Sequence, residues 1–275
     1  MCDVCGCASG ADHFHIADVS AAGRASTPVA FVKTARQVEV MQSLLHGNDH
    51  QAAHNRAHFA AAGVLVVNLM SSPGAGKTSL LEATIRRLND RLSVAVIEGD
   101  LETENDAIRV RAAGAQAVQI TTGNACHLDA SMVHAALHRL DLRPIDVLFI
   151  ENVGNLVCPA GFDLGQHRNV VLLSVTEGDD KPEKYPVMFR AADLVTVTKL
   201  DLLEAVGDFD PGKAARHLQE NGSTAPVLRV SARSGAGLEA WIDWLVAEAD
   251  ACRANAAANA QGHPGQHKHA AAAHA

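Results

Sequence analysis

Cys2, Cys5 and Cys7 stand within the first seven residues, separated only by Asp3, Val4 and Gly6. Three thiols on a stretch without apolar periodicity have little packing role, and soft thiolates select late transition metals. Removal of Met1 would add the α-amine of Cys2 to the set. Three sulfurs and one amine suit a square-planar Ni(II) centre, and tetrahedral Zn(II) almost as well. A CxxC redox pair or a chance cluster is the plainer alternative. A second group of donors is Cys126-His127 with Cys158. Adjacent Cys and His cannot complete a four-coordinate site alone, so Cys158 with water, or the same residues of a second chain, would be needed. Cys252 has no partner in view and receives no role.

A different chemistry is written into Ser71-Ser72-Pro73-Gly74-Ala75-Gly76-Lys77-Thr78 and the following Ser79. The stretch follows an apolar run and opens a helix-like pattern with Leu80, Leu81 and Ile85, the setting a phosphate-binding loop requires. Gly74 and Gly76 let backbone N–H groups turn towards phosphate, and the helix N-terminus adds partial positive charge. Lys77 would bridge the β- and γ-phosphates and the Thr78 hydroxyl would ligate Mg2+. Ser71 stands where GxxxxGK[ST] has its first glycine. Asp100 and Glu151 each end an apolar run, which places them at the crevice of a doubly wound sheet as the carboxylates nearest Mg2+. Thr198-Lys199-Leu200-Asp201 bears on base choice. A carboxylate at Asp201 can accept from both N1–H and N2–H2 of guanine, and Lys199 would lay its stem on the base. Thr198 occupies a position where Asn is usual, and Ser231-Ala232 would back the guanine. The expected ligands are GTP and GDP rather than adenine nucleotides.

These residues need a scaffold. Runs at 64–70, 93–98, 117–121, 146–151, 170–176, 194–198 and 227–230 are mostly continuously apolar, as for strands buried on both faces of a parallel sheet. Helical patterns lie between them, so the fold class is α/β: a doubly wound, mostly parallel sheet of the P-loop type. The expected organisation is a metal-binding arm at 1–27, a helical lead-in at 28–62, a nucleotide domain at 63–252 and a disordered, His-containing tail at 253–275. Fifteen histidines are present, and His46, His50, His54 and His58 recur every fourth residue. That stripe drifts by about 40° per step, so all four cannot meet at one ion, although neighbours can. Gly47-Asn48-Asp49 reads as a helix start that would leave His46 outside. A solvated helix face is the leading reading of the stripe and a weak metal site the second.

A formal net charge of −8 argues against sequence-independent nucleic-acid binding. No apolar run approaches the ~20 residues that span a bilayer, and the start lacks a secretory pattern. A cytoplasmic location is expected, where six cysteines serve as ligands or free thiols rather than disulfides.

Together these segments resemble one family, the hydrogenase nickel-incorporation GTPases (HypB). The resemblance covers the CxxCGC cluster, Asn55-Arg56-Ala57 and nearly all of 63–250. It is carried most specifically by SSPGAGKTSLLE, IEGDLETENDA, TGNACHLDA, ENVGNLVCP and TEGDDKPEKYP. It implies a slow GTPase that dimerises on GTP and delivers nickel to the large subunit of [NiFe]-hydrogenase, with a HypA-like nickel chaperone as partner. It also implies a tight nickel site at Cys2, Cys5 and Cys7, and a weaker nickel or zinc site at Cys126, His127 and Cys158 on the dimer interface. Lys181 would reach the partner subunit's nucleotide. A urease-type nickel accessory GTPase and a nickel storage protein are the alternatives.

Overall fold

In the computed structural model the described residues are 35–88, 91–100, 104–123 and 125–262. Cys2, Cys5, Cys7 and the tail histidines from His263 onward lie outside them.

Seven apolar runs form seven strands: β1 Leu65–Ser71, β2 Val94–Asp100, β3 Gln116–Thr121, β4 Val147–Glu151, β5 Arg168–Ser174, β6 Leu194–Thr198 and β7 Val227–Arg229. They form one sheet in the order β3-β2-β4-β1-β5-β6-β7, and every pairing is parallel. The antiparallel edge that a mostly parallel sheet allows is absent among the described residues. β1, β4 and β6 are buried along their whole length, whereas the edge strands β3 and β7 are half-open. Continuous apolar sequence and two-sided burial therefore go together.

The helices are α1 Ala35–Ala62, α2 Lys77–Leu88, α3 Asn105–Ala113, α4 Ala130–Leu137, α5 Lys181–Lys184, α6 Pro186–Arg190, α7 Leu203–Val206, α8 Pro211–Glu220 and α9 Leu238–Gly262. α2 presents Leu80, Leu81, Ile85 and Leu88 to the core, at helical spacing, and keeps Arg86 and Arg87 in its last turn. Basic residues there complement the helix dipole. Trp241 of α9 is fully buried against that face, and its indole N–H donates to Thr84 Oγ1 at 2.8 Å. No helix among the described residues is long and apolar enough to cross a membrane.

Two helix limits differ from expectation. α1 runs unbroken through Gly47-Asn48-Asp49. Asn48 is no cap for its own helix: its side chain donates to the carbonyl of Asp163 at 2.8 Å and accepts from the N–H of Ala130 at 2.9 Å. Tertiary hydrogen bonds more than 80 residues away in sequence absorb the polar groups that a local cap would have used. α9 continues past Cys252 to Gly262. The Ala-rich sequence there has the strongest helix propensity of any residue type, so the helix extends at little cost.

Candidate functional site

The strands' carboxyl ends open onto a cleft of about 430 Å3, lined by the loop after β1, the first turn of α2 and the ends of β2 and β4. Gly74 and Gly76 adopt φ values of 75° and 96°, which only glycine takes at low cost, and the turn they make is of the kind that can cradle an anion at a helix N-terminus. Ser71 needs no such freedom. Its hydroxyl is fully buried, donates to the carbonyl of Ser72 at 2.6 Å and accepts from Lys77 Nζ at 3.0 Å. The departure from glycine thus supplies a hydroxyl that holds the loop lysine over the cleft.

Thr78 donates its hydroxyl to Glu151 Oε1 at 3.0 Å. The parallel register sets Glu98 of β2 directly beside Glu151 of β4. With Asp106 of α3 they bring carboxylate oxygens within 4.8 Å of one another. Burial, the charge of Glu151 and a hydrogen bond between the two push the Glu98 carboxyl up to about 12, with Lys77 opposing. Burial likewise raises Glu151, against Glu98, Lys77 and Thr78. Glu98, raised that far, holds its proton at neutral pH until a cation takes the proton's place. Glu98 Oε1 and Glu151 Oε2 are buried without a hydrogen-bond partner. Two partnerless carboxylate oxygens next to a threonine hydroxyl fit a hard divalent cation such as Mg2+. Asp100 lines the same cleft.

Asp100 and Glu151, expected here from the sequence, are joined in the cleft by Glu98, Asp106 and Arg109, which were not. Arg109 lines the cleft with its guanidinium held by Glu82 at 2.9 Å and Asp106 at 3.0 Å, and it also reaches Ser79 Oγ at 3.3 Å. The period-2 rule could have found Glu98, because it shares a strand face with Asp100.

The residues expected at the base lie at and after the end of β6. The hydroxyl of Thr198 donates to the carbonyl of Ala75 at 2.7 Å, tying this segment to the phosphate loop. Lys199 takes a left-handed conformation at φ 58° and extends across the cleft over Gly76. Asp201 is exposed, and the buried Ser231 donates to its Oδ1 at 2.5 Å. Ser231 Oγ accepts in turn from the N–H of Ser234 at 3.0 Å, which fixes the hydroxyl's direction. Ala232 follows on the same turn. Lys181 opens α5 with its ammonium 5.7 Å from the centre of the Tyr185 ring, and it does not line the cleft.

The second donor group also assembles. Cys126 Sγ lies 2.9 Å from Cys158 Sγ and 3.7 Å from His127 Nδ1, and the three donor atoms fall within 4.8 Å of one another. His127 is buried with its ring 3.9 Å from that of Phe162. Burial lowers its affinity for a proton, partly offset by Asp129, so the imidazole stays neutral and free to ligate. Three donors leave a coordination position open for a fourth ligand.

The two sites touch through the segment after Glu151. Asn152, buried, accepts from the N–H of Leu128, next to His127, at 3.1 Å. Gly154 packs on the phosphate loop so closely that a Cβ there would lie 2.8 Å from Pro73 Cα. Asn155 then accepts from the N–H groups of Val157 and Cys158 at 2.7 and 3.4 Å. Its amide donates to the carbonyl of Cys126 at 3.4 Å. A short run of backbone therefore joins Glu151 to both cysteines.

The chain is similar to known proteins over most of its length. The family model described as CobW/HypB/UreG, nucleotide-binding domain, matches residues 65–228. The hydrogenase maturation factor HypB of Rhizobium leguminosarum bv. viciae is 52% identical over 223 residues, covering 81% of this chain and 74% of that protein. That of Escherichia coli (strain K12) is 50% identical over 223 residues, covering 81% and 77%. The crystal structure of HypB from Helicobacter pylori in complex with nickel superimposes with a TM-score of 0.71 at 42% identity, covering 74% of this chain and 96% of that one. HypB from Archaeoglobus fulgidus gives 0.70 at 41% identity, covering 74% and 100%.

Proposed function

The chain belongs to the CobW/HypB/UreG family, among the hydrogenase maturation factors of the HypB type. From that premise we propose that it is a nickel chaperone whose slow GTP hydrolysis times metal transfer to the large subunit of a [NiFe]-hydrogenase. The observation that carries the reading is the Asn152 bridge between the nucleotide cleft and the Cys126, His127 and Cys158 site.

In this reading the loop N–H groups and Lys77 hold the phosphates of GTP, and Lys77 neutralises charge that develops as the γ-phosphoryl group passes to water. Thr78, Glu98 and Glu151 would hold Mg2+, with Asp100 and Asp106 at its margin. When bound, the ion supplies positive charge against the phosphates. Asp201 and Ser231 select guanine, with Lys199 over the ring. Presence of the γ-phosphate shifts the segment after Glu151, and through Asn152 and Asn155 it changes the spacing of Cys126 and Cys158. Nickel bound there as cargo is held or released accordingly, with zinc as the competing ion. The N-terminal Cys2, Cys5 and Cys7 act as the capture end of the relay.

The exposed Val157, beside Cys158, supports a contact between two chains that would complete the ligand set, in a dimer formed on GTP. The partners in this reading are a HypA-like nickel chaperone and the hydrogenase large subunit, and the compartment is the cytoplasm. A pure nickel store would not require the complete nucleotide cleft.

The test is maturation of [NiFe]-hydrogenase in the chain's own host after deletion of its gene. The intact chain should restore activity at trace nickel, and Cys126→Ala/Cys158→Ala should restore it only with excess nickel. Equal restoration by both at trace nickel would remove the internal site from delivery.

A further inference from the structure

Four imidazoles meet where α1 packs on α4, and none of them lines the nucleotide cleft. His54 and His58 lie four residues apart on α1, and His134 and His138 four apart on α4. Each pair therefore shares a helix face. Ring centres are separated by 4.7 Å for His54–His58, 5.0 Å for His54–His134, 5.8 Å for His58–His134 and 4.8 Å for His134–His138. His46 and His50, the other half of the stripe, lie nearer the start of α1. The seam supplies two partners from another helix that the stripe alone lacks.

His134 is oriented from behind. Its Nδ1 lies 3.1 Å from Asn55 Oδ1, and Asn55 is fully buried. The Asn55 amide nitrogen donates to the carbonyls of Ala130 and Leu164, at 2.8 and 3.1 Å, so its oxygen is the acceptor. Hydrogen bonding thus assigns the proton of His134 to Nδ1 and leaves Nε2 with a lone pair. That is the arrangement by which protein ligands to metals are held. With His134 Nε2 unprotonated, His138 Nε2–H donates to it at 3.3 Å, and an ion taking both nitrogens would displace that proton, which moves to His138 Nδ1 or to water. A hollow of about 350 Å3 lies along the seam, lined by His58, His134 and His138 with Ala61, Leu137 and Arg143. The Arg143 charge is already met by Asp141 in two hydrogen bonds of 2.8 and 2.7 Å.

We propose that His54, His58, His134 and His138 form an all-imidazole site for a divalent late transition-metal ion, distinct from the Cys126, His127 and Cys158 site. Imidazole suits nickel, copper and zinc ions. In the present structure the exposed His54 and His58 pack edge-on, and rotation of their side chains would complete the set begun by His134 and His138. Partial burial and the three neighbouring imidazoles lower the proton affinity of His134, which keeps its lone pair available. α4 begins three residues after His127, so the seam site lies one short helix from the cysteine site. The inference uses no residue of the nucleotide reading and stands apart from it.

The experiment is Ni2+ equilibrium dialysis of the full-length chain, followed by nickel X-ray absorption. It compares the unmodified chain with His134→Gln/His138→Gln and with His54→Gln/His58→Gln. Each double variant should lose one nickel equivalent, or bind it at least tenfold more weakly, together with a nitrogen-only component of the spectrum. The sulfur-containing component and GTP turnover should stay unchanged. Unchanged stoichiometry and spectrum in the variants would reduce the cluster to imidazole packing. If substitution on α4 prevents folding, the exposed α1 pair decides the matter by the same readout.

Discussion

Replacing Lys77 with alanine should lower GTP turnover by about a thousandfold, because the γ-phosphoryl group would lose its main neutralising charge within a partly closed cleft. Lys77 is 8% exposed and its ammonium is held by Ser71 Oγ at 3.0 Å, so it is positioned before the nucleotide arrives. Preorganised charge of this kind is worth more than the same charge in water, since little reorganisation is needed as the reaction proceeds. Lys77→Arg should not rescue the loss. A planar guanidinium presents a fork where the loop surrounds a compact ammonium, and the two are not interchangeable at such a site. Nickel binding by Cys126, His127 and Cys158 in the nucleotide-free chain should survive both substitutions. Phosphate release under single-turnover conditions reads the effect, and a Lys77→Ala chain within tenfold of the unmodified rate would exclude the assigned role.

Asp201→Asn should weaken GTP binding by about a hundredfold or more and create binding of xanthosine triphosphate. The Asp201 carboxylate is only an acceptor, and guanine presents two donors to it. An amide at the same place turns a donor towards one of them, which sets two donors facing each other and costs more than the loss of a contact. Xanthine carries an oxygen where guanine carries its amino group, so the amide finds an acceptor again. The Ser231 hydroxyl donates to Oδ1 and is itself fixed by the Ser234 N–H, so the substituted amide oxygen should keep the same orientation. Competition of the two nucleotides against a fluorescent analogue measures the exchange, and an unchanged preference for GTP would remove Asp201 from base recognition.

Much of this architecture is written locally. Each of the seven strands lies within a few residues of an apolar run, most plainly β1, β4 and β6, which are buried along their whole length. The phosphate loop was legible for the same reason, since it lies between a buried strand and an amphipathic helix. What stayed hidden depends on register and packing. Glu98 gains its meaning from lying opposite Glu151, and a single sequence contains no β2–β4 register. Gly47-Asn48-Asp49 carries the composition of a helix start, yet the partners of Asn48 are Asp163 and Ala130, which only the fold brings near. The histidine stripe is exposed, as a solvated helix face should be, and only the fold sets His134 and His138 of α4 beside it. Thr198, which departs from the usual guanine motif, acts through a hydrogen bond to Ala75 that no spacing rule contains.

The central claim is that the nucleotide state sets how tightly nickel is held by Cys126, His127 and Cys158. It is tested most directly by nickel affinity in a chain bearing Cys2→Ser, Cys5→Ser and Cys7→Ser. Titrations are made once with GDP and once with a non-hydrolysable GTP analogue, both with Mg2+. The affinities should differ by about tenfold, a coupling of ordinary size between two linked sites. Asn152→Ala, which removes the hydrogen bond to Leu128, should narrow that gap while each site still binds its own ligand. Equal nickel affinity in the two nucleotide states would contradict the account.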